Sequence, residues 1–87
     1  MKAVFCPNCQ DLVALRRTPR NCTCGLSGGR YRSDDHHADV WGKAIAIGLA
    51  GQDLAAVCNP KRDEALAIRG WAFEPGHPRV RRLKHHP

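Results

Sequence analysis

The residues of this chain best equipped for chemistry are its five cysteines, four of which fall in the first 24 positions as Cys6-Pro7-Asn8-Cys9 and Cys22-Thr23-Cys24-Gly25. Two thiolate pairs separated by twelve residues can close one tetrahedral shell around a zinc ion, each pair presented by its own turn. In a Cys-x-x-Cys turn the backbone doubles back so that both sulfurs reach one ion at about 2.3 Å. Pro7 presets φ for that turn, and Asn8 tolerates the tight conformation that follows. The second pair is spaced by one residue rather than two, and Gly25 stands where a positive φ often follows the last ligand. The expected cofactor is therefore Zn²⁺, held by Cys6, Cys9, Cys22 and Cys24. A shell in which Cys58, His36 or His37 replaces Cys22 or Cys24 stays open at this point.

Other uses of these thiols fit less well. A disulfide framework calls for an oxidising compartment, whereas the count is odd and Met1 to Cys6 contains no apolar leader, so a cytoplasmic location is expected. A redox Cys-x-x-Cys normally closes a strand and opens a helix, but Gln10-Asp11-Leu12-Val13 leads into a strand-like run. Asp34, Asp35, His36, His37 and Asp39 contain the residue types of a hydrolytic metal site. They read more simply as a solvated turn, because no partner pair follows at helical spacing. Leu26-Ser27-Gly28-Gly29-Arg30 lacks the lysine and hydroxyl of a phosphate loop, and Ser27 has no oriented base beside it. Cys58 reads as a small buried residue at a helix end and not as a nucleophile, and His77, His85 and His86 belong to loop and tail. No catalytic residue is assigned, and the chain is not expected to be an enzyme.

The net charge of +6 is unevenly laid out. Residues 1–33 carry Lys2, Arg16, Arg17, Arg20, Arg30 and Arg32 against Asp11 alone, residues 34–74 sum to −3, and residues 75–87 return to +4. Filling the site with zinc lowers the total by two, since four thiolates outweigh the ion. Basic ends around an acidic middle suit an anionic partner. Arg16, Arg17 and Arg20 sit on a polar, proline-containing stretch, and Arg30 and Arg32 flank Tyr31. These five arginines are the candidate nucleic-acid contacts, guanidinium to phosphate. No run approaches the about 20 apolar residues of a membrane span, so no membrane partner is expected.

The elements that must position these groups are short. Lys2–Phe5 and Leu12–Leu15 read as strands around the first cysteine turn, and Arg30-Tyr31-Arg32 as a third. Asp39-Val40-Trp41 and Ala44–Leu49 alternate around Gly42-Lys43, which predicts a hairpin over 39–49 with Val40, Ile45 and Ile47 inward. A helix is expected from Asp53 to Val57 or Cys58, opened by Gly51-Gln52 and ended by Asn59-Pro60. Lys61–Ile68 reads as a second helix with acids at its start and Arg69 at its end, or else as strand running from Leu66 into Trp71-Ala72-Phe73. Trp41 and Trp71 are expected in the core, because few other large residues can fill one. Arg79–Pro87 reads as an exposed tail or one edge strand.

The two cysteine turns resemble the knuckles of zinc-ribbon proteins over residues 1–33. With Gly29-Arg30-Tyr31 and Ala44-Ile45-Ala46-Ile47-Gly48 added, the first 58 residues are similar to small bacterial and phage zinc-ribbon proteins of unassigned function. The resemblance implies a hairpin-based metal module of the kind used to contact nucleic acid or protein. Two departures stand out: Gln10 occupies a position where many ribbons have glycine, and the second pair is one residue short. The expected fold is α+β: a four-cysteine zinc ribbon over 1–33, a small α+β part over 34–78 with an antiparallel meander and one or two short helices, and a basic tail over 79–87, in one compact unit. The expected function is non-catalytic binding of nucleic acid through basic loops. The alternative is a protein-interaction module, such as a phage-encoded inhibitor or adaptor docking on a host protein.

Overall fold

The computed structural model describes residues 1–85; His86 and Pro87, the end of the expected tail, lie outside the described residues. The chain is α+β and mostly strand, running β1 (Lys2–Phe5), β2 (Leu12–Ala14), β3 (Arg20–Asn21), β4 (Ser27–Tyr31), β5 (Ala38–Gly42), β6 (Ile45–Leu49), α1 (Gly51–Val57), β7 (Gly70–Ala72) and β8 (Val80–Leu83). The strands form two four-stranded sheets, ordered β2-β1-β6-β7 and β3-β4-β5-β8. Every pairing is antiparallel except that of β8, which lies parallel to β5 with Ala38 opposite Val80 and Trp41 opposite Leu83. The stretch read as tail or edge strand is therefore, over 80–83, an edge strand.

The sheets face each other across one core. Val4, Val13 and Leu15 from the first side meet Ala38 and Val40 from the second, with Cys6, Cys22 and Ala44 buried among them. Gly29 lies close against the first side: a Cβ there would lie 2.9 Å from Leu15 Cδ2 and 3.2 Å from Val4 Cγ1. Burial of this apolar set is small, as an 87-residue chain allows, and a further tie between the sheets is physically called for.

The hairpin predicted over 39–49 does not form. Gly42 and Lys43 carry the chain from one sheet to the other, with Lys43 N donating to Leu26 O at 3.0 Å. β6 then pairs with β1 and β7 instead of β5. Its facing is also reversed, because the register sets Ala46 opposite Val4 and Ile45 opposite Phe5. Ala44 is 1% exposed and Ile45 41%, while Ile47 is half-buried. Alternation of period two cannot tell the faces apart when both carry apolar residues; the partner strand decides. Ala44→Asp should then cost roughly 3 kcal/mol or more through a buried charge, whereas Ile45→Asp should shift the melting temperature little. Equal melting temperatures for the two variants would contradict this register.

The first expected helix is present as α1, and its Asp53 carboxylate accepts from Arg69 N at 2.8 Å and Arg69 Nε at 2.9 Å. The second is absent: residues 61–68 are exposed and carry neither helix nor strand, and the strand begins only at Gly70. Leu66 and Ile68 are two residues apart, so they share no helical face. No helix among the described residues is long and apolar enough to cross a membrane.

Candidate metal centre and arginine cluster

The turn between β1 and β2 brings Cys6 and Cys9 to one end of the sandwich, and the turn between β3 and β4 brings Cys22 and Cys24 against them. All four sulfurs lie within 4.8 Å of one another. Cys22 Sγ is 3.5 Å and Cys6 Sγ 3.8 Å from Cys24 Sγ. These separations are far too long for a disulfide and match the edge of a tetrahedron whose metal–sulfur bonds are about 2.3 Å. Cys58, exposed at the end of α1, donates to Leu54 O, and His36 and His37 are held in another turn, so none of the substitute ligands joins the cluster.

Local backbone geometry makes this possible. Gln10 N donates to Cys6 O at 2.7 Å, and Cys6 N to Asp11 O at 3.0 Å, closing the first turn. Gln10 accepts φ = +60°, the conformation glycine more often supplies, and Gly25 has φ = +79° after the second pair. Gly25 N donates to Cys22 O at 3.0 Å. Asp11 ties the turns together, its Oδ2 accepting from Thr23 N at 3.0 Å and Thr23 Oγ1 at 2.9 Å.

The surroundings favour thiolate at Cys6 and Cys24. Ser27 N donates to Cys22 Sγ at 3.3 Å. Ser27 Oγ is buried with no hydrogen-bond partner of ordinary geometry, yet it is the largest influence drawing the Cys6 thiol down to about 6, ahead of the Cys9 N–H and against burial. The Leu26 N–H and then the Asn8 side chain lower Cys24. Cys9 is held up: the Cys24 N–H lowers it, but burial and the neighbouring thiols outweigh that. A buried hydroxyl donor set against the Cys6 and Cys22 sulfurs fits metal-bound thiolates, whose negative charge would accept from it.

The five candidate arginines do not act as one group. Arg16 is exposed. Arg17 is bound bidentately to Asp35 at 2.7 and 2.6 Å, and Arg20 is half-buried, donating to Ala14 O at 2.8 Å. Arg30 and Arg32 instead join Arg81 around Asp39, a carboxylate only 2% exposed. Cross-strand register sets Arg30, Asp39 and Arg81 side by side on the outer face of the second sheet. Arg81 is bidentate, Nε to Oδ1 at 2.9 Å and Nη2 to Oδ2 at 3.1 Å; Arg32 Nε reaches Oδ1 at 3.1 Å and Arg30 Nε reaches Oδ2 at 3.5 Å. No family model, curated protein or solved structure matches the chain. Function must come from these two constellations.

Burial alone would raise the Asp39 carboxyl, but the hydrogen bonds from Arg81 and Arg32 overcome it and hold the group below the ordinary carboxylate range. One carboxylate thus fixes three guanidinium groups and neutralises only one of them. The sequence signal was an acid inside the apolar run Ala38-Asp39-Val40-Trp41, set among arginines at i−9, i−7 and i+42. Asp34, by contrast, serves the turn: its carboxylate is held strongly ionised by the N–H groups of His37 and His36 and by the His37 ring, whose Nδ1 lies 2.5 Å from Oδ2. Trp41 is in the core at 1% exposure, donating to Asn21 Oδ1 at 2.9 Å, but Trp71 is 49% exposed; the expectation that both fill the core holds for one.

Proposed function

We propose that this chain is a non-catalytic, zinc-clasped protein that binds nucleic acid through the outer face of its second sheet. Zinc suits the four-sulfur set better than a hard cation would, and its contribution is structural: it keeps the two cysteine turns together. The observation that carries the binding proposal is the Asp39 cluster. Three guanidinium groups are pre-positioned with a surplus of two positive charges, and each engages Asp39 through Nε, which leaves Nη edges of Arg30 and Arg32 for phosphate oxygens.

The test is a titration with generic DNA and RNA across salt concentrations. Arg30→Gln with Arg32→Gln leaves Arg81 as the bidentate partner of Asp39, so the fold should survive. The slope of log K against log[salt] should flatten by about two, one per phosphate contact removed. Wild-type protein that binds neither DNA nor RNA at low salt would sink the proposal.

The protein-docking alternative has one observation of its own. On the outer face of the first sheet, Phe5 stands between Leu12 and Ile45 in the cross-strand register, and both neighbours are exposed. An apolar row of this kind suits contact with another protein. Affinity purification that returns one stoichiometric protein and no nucleic acid would favour that alternative.

A further inference from the structure

The structure holds an open cleft of about 590 Å³, whose walls include Lys2, Trp71, Phe73, His77 and Arg79. Its aromatic side is rigidly built. Trp71 is the cross-strand partner of Gly48, and a Cβ at Gly48 would run into the indole. One ring face therefore lies on bare backbone while the residue stays half exposed. Phe73 N donates to Ala46 O at 2.9 Å, extending the ladder past β7. Phe73 meets Trp71 edge-on at 6.1 Å and His77 at 4.8 Å between ring centroids. Arg79 N donates to His77 Nδ1 at 3.1 Å.

The cationic side is equally fixed. The Lys2 ammonium lies 5.7 Å from the Tyr31 ring centroid and 5.9 Å from that of Phe73, and donates to His36 O at 2.5 Å. Burial, and next the positive charge of Arg79, lower its pKa, with Asp34 opposing. Two cations thus face one another across a cleft with an aromatic wall, and an anion between them would relieve the repulsion. The same cations rule out a quaternary-ammonium ligand, the usual guest of an aromatic cage. A purely apolar segment would leave both charges desolvated. A planar ring carrying a negative group satisfies both sides at once. Arg79 O accepts from Ala38 N at 2.9 Å, so Arg79 already lies along β5.

We propose that this cleft takes an unpaired nucleobase together with its phosphate, the base stacking on Trp71 and the phosphate pairing with Lys2 and Arg79, so that the chain prefers single strands to duplex. This rests on the nucleic-acid proposal above and narrows it. Duplex bases are stacked on one another and cannot reach the indole, whereas any exposed base offers a π-face.

The test uses the full, metal-loaded chain with a fifteen-nucleotide oligo-dT, a duplex of equal length and thymidine monophosphate, followed by tryptophan emission. The chain has two tryptophans, and Trp41 is enclosed, so quenching by ligand reports Trp71. The oligonucleotide should quench the emission and bind about tenfold or more tightly than duplex at matched salt, within what one base–aromatic stack contributes. Trp71→Ala should abolish that preference while duplex affinity stays; Trp71→Phe should restore most of it, which a merely structural role over Gly48 would not predict. The wild-type quench stands as a measurement even if Trp71→Ala fails to fold. Equal affinity for single strand and duplex, or single-strand binding with unchanged emission, overturns this inference alone. Absence of any binding at low salt overturns it together with the nucleic-acid proposal. Saturation by thymidine monophosphate with no gain from the longer oligonucleotide overturns the strand preference in favour of a mononucleotide site.

Discussion

Removing the zinc proposed for the four cysteines is expected to unfold the whole sandwich and not only the residues around them. Cys6 and Cys9 hang from the sheet that contains β1 and β2, Cys22 and Cys24 from the sheet that contains β3 and β4, so an ion shared by the four would join the two layers. Cys6 and Cys22 also belong to the core that contains Val4, Val13 and Val40. Zinc binding to four such thiolates supplies about 10–16 kcal/mol of apparent free energy, as much as the entire net stability of a typical domain, about 5–15 kcal/mol. A strong chelator, or Cys9→Ser, should therefore abolish the near-ultraviolet signal of Trp41 together with the cooperative melt, and metal content should fall from one ion per chain. Acidification should do the same, because each ligand must be deprotonated to bind. A chelated, reduced chain that melts cooperatively within a few degrees of the untreated protein would contradict the clasp.

The cysteine turns were legible because their chemistry is local. Spacing, Pro7 and Gly25 define a knuckle without reference to the rest of the chain, and Gln10 merely adopts the positive φ that the turn imposes. The helix from Gly51 was legible for the same reason, having Pro60 as a stop and Asp53 in its first turn. What the sequence hid is non-local. Ile45 and Ile47 look more apolar than Ala44 and Ala46, so alternation by itself turns the wrong face inward. Only the register against Val4 and Phe5 puts the alanines in the core. Trp71 looks like core material until Gly48 is seen beneath it, a glycine that leaves room for the ring but does not enclose it. The arginines at 16, 17 and 20 cluster in sequence yet separate in space, because Asp35 and the Ala14 carbonyl take two of them. Arg81 lies 42 positions from Asp39 and could be joined to it only by the parallel pairing of β8 with β5.

Asp39→Asn is expected to lower stability and strengthen anion binding at once. The carboxylate is almost wholly buried, and its three partners sit on one face with nothing else among the described residues shown neutralising them there. Asparagine keeps the shape but leaves three guanidinium groups facing one another. Breaking a buried ion pair costs about 3–5 kcal/mol, and partial exposure of the arginines screens part of it, so a loss of roughly 2–3 kcal/mol is expected at neutral pH. The sign with pH follows from the lowered folded pKa of Asp39. Its contribution is fully present above the unfolded value of about 4 and lost as the pH falls through the folded one. Protonation of the cysteine ligands would release the proposed zinc on that acid limb, so the comparison belongs near pH 7. The binding consequence runs the other way. Each guanidinium released from Asp39 becomes available to phosphate, and an anion now relieves the repulsion that the carboxylate relieved before. Inorganic phosphate or an oligonucleotide should therefore raise the melting temperature of Asp39→Asn more than that of the wild type, and salt should erase the difference. If the variant is less stable and anions restore nothing, the cluster is a structural ion pair, and the binding face must be sought elsewhere.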